Sequence, residues 1–305
     1  RSGCWPAASP SGGGAASAEQ SCMKKRWLLN IGLTLLVGAL VLLILYKPGA
    51  RKEAEGTPLT ALAADAIQRI RLVRPKQSEI VLEKIGEDWR LTAPRKARAN
   101  NFRVNELLRL AATRVGTRFP AAPAELGKYG LDQPLATLFL DDAEIRFGGM
   151  HPLDNQLYVL HGDQVQLIPT SVFRAVSAPL NDFLSTSLIE DKAKLLAFKF
   201  PAFGLKQNEQ GAWSRAPELK GLGSDQVNRF VDEWRHARAL STAPYSGKPV
   251  KQRVTLTLAD GDQQRVIEFG VLADKPEFIL YRKDENLEYS FPEETGTRLM
   301  RLKPE

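Results

Sequence analysis

Residues 101–111, NFRVNELLRLA, and residues 224–234, SDQVNRFVDEW, carry the same stripe of apolar side chains at positions i, i+3, i+4 and i+7. This spacing predicts an amphipathic helix with one buried face. Each apolar position of the second stretch lies 123 residues after its counterpart in the first. The paired positions are Val104 and Val227, Leu107 and Phe230, Leu108 and Val231, and Ala111 and Trp234. The chain therefore contains the same helix twice.

Predicted strands flank both helices and recur at nearly the same spacing. Ile145–Gly148, IRFG, returns as Ile267–Gly270, IEFG, after 122 residues, and Trp89 returns as Trp213 after 124 residues. Alternating apolar and polar residues between turn-forming residues are typical of antiparallel strands. The predicted strands are Ile67–Val73, Glu79–Lys84, Trp89–Leu91, Thr137–Leu140, Glu144–Phe147, Gln156–Leu160, Val165–Ile168, Leu195–Phe200, Leu205–Gln207 and the segment at Trp213.

Together these patterns predict an α+β fold made of two tandem repeats, each an antiparallel sheet packed on one helix. The first repeat is expected to cover residues 59–190 and the second residues 191–305. Pro169 closes the last predicted strand of the first repeat, and Pro292 stands at the same place in the second.

The hairpin between the two central strands differs in the two repeats. Asp141-Asp142 predicts a short turn, whereas Ala259–Asp262, ADGD, predicts a longer loop with a type I′ Asp-Gly signal. Both aspartates of the first turn are expected to face water, because they lie in a turn. Acid–base catalysis would need carboxylates that converge on one cavity. The second loop lacks the further oxygen ligands of a calcium site. We interpret both as solvated hairpin tips.

Before the repeats, Trp27–Tyr46 forms an uncharged run, WLLNIGLTLLVGALVLLILY. About 20 helical residues span a hydrocarbon core of about 30 Å. The run is too long for a signal-peptide core, and Trp27 and Tyr46 stand at its ends, where aromatic rings favour the membrane interface. We expect an uncleaved signal anchor over residues 23–47 that holds the protein on a lipid bilayer through residues 27–46, followed by a tether over residues 48–58.

Residues 1–22 are rich in Gly, Ala, Ser and Pro and are interpreted as a disordered or non-native leader. The two cysteines, Cys4 and Cys22, precede the apolar run. The predicted repeats contain none, so we expect no disulfide and no thiolate metal site in them. Basic residues flank the run on both sides, which gives only a slight preference for a cytoplasmic amino terminus.

The net charge of +7 does not indicate a nucleic-acid surface. No dense block of Lys and Arg is interleaved with aromatic residues. The basic residues just after the apolar run, Lys47, Arg51 and Lys52, fit anionic lipid headgroups instead. We therefore expect no nucleic-acid partner.

Catalytic motifs are missing from the sequence. The three histidines, His151, His161 and His236, have neither a carboxylate nor another histidine at metal-ligand spacing, and no P-loop, Rossmann or G-x-S-x-G motif occurs. We expect no catalytic residue, no metal and no cofactor. The segment Tyr129–Asp132, with Tyr129, Gly130, Leu131 and Asp132, is the candidate interaction loop, and Gly130 is expected to adopt a positive φ.

The first repeat resembles the bacterial family called domain of unknown function 4340. The resemblance lies in Ile70-Arg71-Leu72, Glu87–Leu91 with Pro94, the helix to Leu110, Lys128–Pro134, Ile145–Gly148 and Gln156–Val159. It covers residues 58–188 well and the second repeat weakly, where the Tyr-Gly-Leu-Asp segment is reduced to Tyr245 and Pro249. The resemblance implies an N-terminal anchor and a body in the periplasm. Some members are linked with ABC transporters of the gliding-motility type, which implies an accessory or binding role.

Three functions remain open at this point. The first is a non-enzymatic, single-pass protein of the bacterial cytoplasmic membrane whose periplasmic body binds a membrane or envelope protein partner, such as a transporter complex. The second is a solute- or glycan-binding module that uses a groove between the two repeats, since ligand sites favour such junctions. The third is a hydrolase whose catalytic residues are distant in sequence.

Overall fold

The computed structural model describes residues 30–41, 56–261 and 263–304. Residues 30–41 are helical and are called α1. The chain divides into two compact units, Arg1–Ala54 and Glu55–Glu305, and the second unit is called the body. Trp27, Tyr46 and the predicted leader lie outside the described residues. Among the residues described, none of the helices is both long enough and apolar enough to cross a membrane.

The first repeat folds into a nine-stranded antiparallel sheet with the order β5-β4-β3-β2-β8-β9-β10-β11-β7, and β1 pairs separately with β6. Its strands are β1 Thr57–Pro58, β2 Arg69–Val73, β3 Ile80–Ile85, β4 Asp88–Ala93, β5 Ala97–Arg98, β6 Arg114–Val115, β7 Thr117–Pro120, β8 Ala136–Leu140, β9 Ala143–Met150, β10 Gln156–His161 and β11 Gln164–Pro169. Its helices are α2 Asn101–Ala111 and α3 Thr170–Ser177, with 3-10 turns at Pro123–Tyr129 and Leu180–Phe183.

The second repeat forms an eight-stranded antiparallel sheet with the order β14-β13-β12-β16-β17-β18-β19-β15. Its elements are β12 Lys194–Lys199, β13 Gly204–Gln207, β14 Trp213–Ala216, α4 Ser224–His236, β15 Ser241–Pro244, β16 Gln252–Asp260, β17 Gln263–Ala273, β18 Glu277–Arg282, β19 Leu287–Pro292 and α5 Glu293–Met300. Without β5, the first sheet has the same order. The predicted mixed α+β class with antiparallel sheets is confirmed.

The prediction of one helix per repeat is wrong, because α3 and α5 add a second helix to each. Both begin directly after a strand-ending proline, Pro169 with φ −59° and Pro292 with φ −57°. A proline has no N–H for a sheet ladder, yet its fixed φ suits the start of a helix. The residue that ends the strand therefore also begins the helix.

The predicted difference between the two hairpins is also wrong. Leu140 pairs with Ala143 and Asp260 pairs with Gln263, so each loop has two residues. Asp141 does not simply face water. It adopts φ 51°, and its carboxylate accepts hydrogen bonds from the backbone N–H groups of Gln68 and Arg69, at 3.1 and 2.8 Å from Oδ1.

The end of the predicted tether is an ordered element. Thr57 pairs with Val115 and Pro58 with Arg114, which makes β1 a short strand. The next residue, Leu59, is buried in the core, and burial of its side chain holds this stretch on the body.

The apolar stripes of α2 and α4 are buried as predicted. Between the repeats the core is continuous, since the buried apolar residues of both sheets form one cluster. In the second repeat, the core contains several aromatic rings packed around Trp234. The indole Nε1 of Trp234 donates a hydrogen bond to the carbonyl of Leu299 at 2.7 Å. This bond ties α4 to α5 inside the core.

Candidate functional site

The chain that connects the repeats is bonded to both of them. The Ser185 N–H donates to the carbonyl of Arg98 at 2.9 Å, on the side of the first repeat. On the other side, the Leu188 N–H donates to the carbonyl of Ala237 at 3.1 Å, and Ala239 donates back to Thr186 at 2.8 Å. Residues 184–188, called the linker, therefore fix the two repeats against each other through backbone hydrogen bonds.

A groove of about 510 Å³ lies along this junction. Most of its lining comes from three stretches: the β3–β4 turn with the start of β4, the end of β5 with the start of α2, and the linker with the residues that follow it. Arg238, after α4, completes the lining. The lining residues are Glu87, Asp88, Trp89, Arg90, Arg98, Ala99, Asn100, Asn101, Phe102, Ser185, Thr186, Ser187, Ile189, Glu190, Asp191, Lys192 and Arg238. Carboxylates, guanidinium groups, hydroxyls and amides dominate this lining.

A second cavity, of about 520 Å³, continues the groove along α2. Both cavities are lined by Glu87, Trp89 and Asn101, so they are neighbours on the surface. Phe102, on the first turn of α2, lines the groove, and the residue is 61% exposed. The junction thus offers a polar groove with one exposed aromatic residue.

The groove is built over a buried ion pair between the repeats. Arg98 donates from Nε to Glu285 Oε1 at 2.6 Å, and both side chains are 7% exposed. Arg98 also donates from Nη2 to the hydroxyl of Tyr289 at 3.1 Å and to the carbonyl of Ser187 at 2.6 Å. Burial lowers the pKa of Arg98, but the charge of Glu285, its hydrogen bond and the effect of Tyr289 together raise that pKa above its ordinary value, so the guanidinium stays charged.

Glu190, just after the linker, connects this pair to two further arginines. Its Oε1 lies 2.8 Å from Arg265, 3.4 Å from Arg282 and 3.9 Å from Arg98. Burial raises the pKa of Glu190, whereas Arg282, Arg98 and the hydrogen bond from Arg265 lower it to about 2. The carboxylate is therefore ionised at neutral pH. Buried charges of this kind persist only when they are paired.

Ion pairs also cross the rim of the groove. Lys192 contacts Glu87, which connects the segment after the linker to the β3–β4 turn. Arg238 lies 3.2 Å from Asp191 and donates to the Ser187 hydroxyl at 2.6 Å. Most of the acidic side chains in the lining thus already face a basic one.

The start of α2, Asn101 and Phe102, lines the groove. The side chain of Asn100 caps the helix by accepting a hydrogen bond from the N–H of Phe102 at 3.1 Å. The first turn contains no acidic residue. A helix start of this kind carries a partial positive charge that favours anions.

The predicted interaction loop, Tyr129–Asp132, does not lie in the groove. It follows the 3-10 turn Pro123–Tyr129 of the first repeat. Gly130 has φ 65°, as predicted, and Leu131 is fully buried. The Tyr129 ring packs 4.8 Å from Tyr158 and 5.5 Å from Phe119. None of the four predicted residues lines either cavity. Packing accounts for this segment, and its role in binding stays a prediction.

The second repeat contains the same kind of tyrosine pair. Tyr245 stacks on Tyr281 at 4.0 Å, and Tyr281 stands 123 residues after Tyr158. A ring in the position of Tyr129 is thus part of the repeated architecture, since both repeats place an aromatic side chain against the same strand.

The histidines do not converge. His151 packs 5.6 Å from Tyr158, Nδ1 of His161 lies 2.9 Å from the carbonyl oxygen of Glu144, and His236 ends α4. In the described ranges, no three His, Cys, Asp or Glu side chains are arranged to hold a metal ion.

Sequence reasoning does not find the buried charges beneath the groove. One signal is present: Phe278, Leu280 and Arg282 occupy every second position of β18, so Arg282 shares the core-facing side with two buried apolar residues. The contact between Arg98 and Glu285 spans 187 residues and has no local signature.

Comparison with known proteins identifies one relation. A family model described as "Domain of unknown function (DUF4340)" matches residues 89–260, which is more than half of the 305-residue chain. The match includes most of the groove lining and spans the junction of the repeats. No curated protein and no solved structure matches the chain. The chain belongs to the DUF4340 family.

Proposed function

We propose that this chain is a non-enzymatic binding protein whose body holds a partner in the groove between its two repeats. The observation that carries the proposal is the groove itself, a trough of about 510 Å³ at the junction of two fused repeats. Ligand sites form preferentially at such junctions. The linker and the buried Arg98–Glu285 pair keep the two walls in a fixed relation, which favours binding to a pre-formed surface.

The same proposal includes a membrane anchor. The uncharged run 27–46 supports a single-pass segment in the bacterial cytoplasmic membrane, with the body in the periplasm. In that setting the partner is a membrane or envelope protein, such as a component of an ABC transporter complex. A reporter enzyme that is active only in the periplasm, fused after Glu305, tests the topology. Activity confined to a cytoplasmic reporter would contradict the proposed location.

Filling the groove tests the binding role. Thr186 lies in the linker and lines the groove, so Thr186→Trp places an indole in the trough. Thr297→Trp adds the same side chain to the exposed surface of α5 and is the matched control. Full-length protein is purified from membranes in mild detergent, and co-purifying proteins are identified. We expect the control to retain a partner that Thr186→Trp loses. Equal recovery with both variants would refute the groove as the binding site.

A second candidate, a solute- or glycan-binding module, is favoured by the chemistry of the lining. Hydroxyls of Ser185 and Thr186, the amide of Asn101 and the exposed ring of Phe102 surround the same trough. Planar polar groups and an exposed ring suit a polyhydroxylated ligand. Thermal shift measurements with sugars, lipids and peptides separate this candidate from protein partner binding, since a protein-only site responds to none of the small ligands.

A further inference from the structure

We propose that the groove recognises a carboxylate, held between Arg90, Arg98 and the start of α2. The inference rests on the proposed function, because it assigns ligand chemistry to the same groove. Three independent features converge on this part of the lining, and each provides a donor or a positive charge that the fold itself does not use.

The first feature is the unused edge of Arg98. Its five hydrogen bonds to other described residues leave from Nε and Nη2 only. The side chain is 7% exposed and is one of the residues that line the groove. Nη1 is therefore a charged donor held in place by a buried network. A donor positioned in this way loses little conformational entropy when a ligand binds.

The second feature is the pairing of two arginines. Arg90 on β4 lies directly opposite Arg98 on β5 on one side and opposite Glu83 on β3 on the other, and both arginines line the groove. Like charges at directly opposed positions of a sheet destabilise it. Within the described part of the chain, Arg90 forms no ion pair, whereas Arg98 is neutralised by Glu285 on the other side of its guanidinium. An anion between the two would remove the repulsion.

The third feature is the start of α2, three residues after Arg98. Asn101 is the first residue of an 11-residue helix, and the cap uses the N–H of Phe102, leaving the N–H of Asn101 for a ligand. Three of the four acidic residues that line the groove face basic side chains, and the fourth is Asp88. Glu87 and Asp191 pair with Lys192 and Arg238, and Glu190 is shared by three arginines.

The ligand group is a carboxylate, from either a peptide or an acidic sugar. The test is NMR spectroscopy of the full-length protein, labelled with ¹⁵N-phenylalanine, in detergent micelles. The amide signal of Phe102 is assigned by its loss in the variant Phe102→Leu. Sodium acetate is titrated against sodium chloride. Acetyl-dialanine is then compared with its amide, and glucuronate with glucose. We expect saturable shifts with the acids alone, and the tighter acid identifies the source. Equal effects of the acids and their neutral counterparts would overturn the proposal.

Three variants separate binding from structure. Asn101→Asp places a carboxylate in the first turn, which stabilises the helix but repels the ligand, so we expect a higher Tm and no acetate binding. Thr297→Ala on the exposed surface of α5 lies outside the groove lining and should bind within about two-fold of the wild type. Arg90→Gln removes both the repulsion from Arg98 and the attraction to Glu83, so we expect little change in Tm with binding weakened by about ten-fold or more. Acetate binding that survives both Asn101→Asp and Arg90→Gln would refute the site.

The same experiments distinguish this inference from the proposed function. If Thr186→Trp abolishes partner capture while acids and neutral compounds act alike, the groove binds a partner but not through a carboxylate. If the acids bind selectively while Thr186→Trp captures the partner normally, the carboxylate site stands and the proposed role of the groove in partner binding fails.

Discussion

Replacing Glu285 by alanine should destabilise the whole body, because it removes the only carboxylate within hydrogen-bonding distance of Arg98 in the described structure. Glu285 accepts from Arg98 at 2.6 Å and from the Tyr289 hydroxyl at 2.5 Å, and its side chain is 7% exposed. The variant leaves a buried guanidinium without its main counter-charge. Breaking a buried ion pair from one side costs about 3–5 kcal/mol.

That cost is a large share of the stability of an ordinary domain, which is about 5–15 kcal/mol. The free energy of unfolding is measured by urea denaturation of the full-length chain in micelles, followed by tryptophan fluorescence. Glu268→Ala is the control, since Glu268 forms an exposed pair with Lys283 at 2.7 Å and its loss should leave the urea midpoint unchanged. The double variant Arg98→Met with Glu285→Leu should be more stable than Glu285→Ala, because it buries no unpaired charge. A loss below about 1 kcal/mol for Glu285→Ala would show that the pair does not stabilise the junction as argued.

Three further predictions concern stability. The pKa of Glu190 lies at about 2 against an ordinary 4.5, so its ion pairs stabilise the fold above pH 4.5 and are lost as the pH falls towards 2. Between pH 6 and pH 2 the wild type should therefore lose about 3 kcal/mol more unfolding free energy than Glu190→Gln, measured by urea titrations at each pH, and parallel curves would contradict this. Gly148→Ala would place a Cβ 2.3 Å from the carbonyl oxygen of Tyr129, whereas Gly149→Ala would place one at 3.4 Å. The first should cost about 1–3 kcal/mol and the second less, and equal Tm values would refute the close approach. Trp234→Phe removes the bond to α5 and leaves a buried carbonyl unpaired, so Tm should fall by an amount equivalent to about 1–3 kcal/mol, and no change in Tm would argue against that bond.

The regular elements can be predicted because their signals are local. Helix α2 begins at Asn101 and helix α4 at Ser224, as the apolar periodicity predicts. The short edge strands β7 and β15 are not predicted, because four residues ending in proline show little alternation of apolar and polar side chains. The helices α3 and α5 escape it because a proline after a strand indicates a stop and gives no sign that a helix follows.

The site is predictable in position but not in composition. A groove between the repeats follows from duplication alone. The buried ion pair beneath the groove joins Arg98 to Glu285, which are 187 residues apart in the sequence, and no short window of sequence contains both. The candidate loop at Tyr129–Asp132 is conspicuous for its glycine and aromatic residues, but packing against Tyr158 and Gly148 accounts for them.

The linker has a consequence for how this protein can evolve. Duplication ordinarily leaves two copies of which one is spare. Here the backbone of residues 184–188 is hydrogen-bonded to both copies, and the guanidinium of the first copy is neutralised by the carboxylate of the second. Deleting either copy would uncover the apolar core that the two sheets share and would strip the linker of half its backbone partners. Neither half is therefore expected to fold alone, and a shortened gene with one copy should yield an unfolded chain.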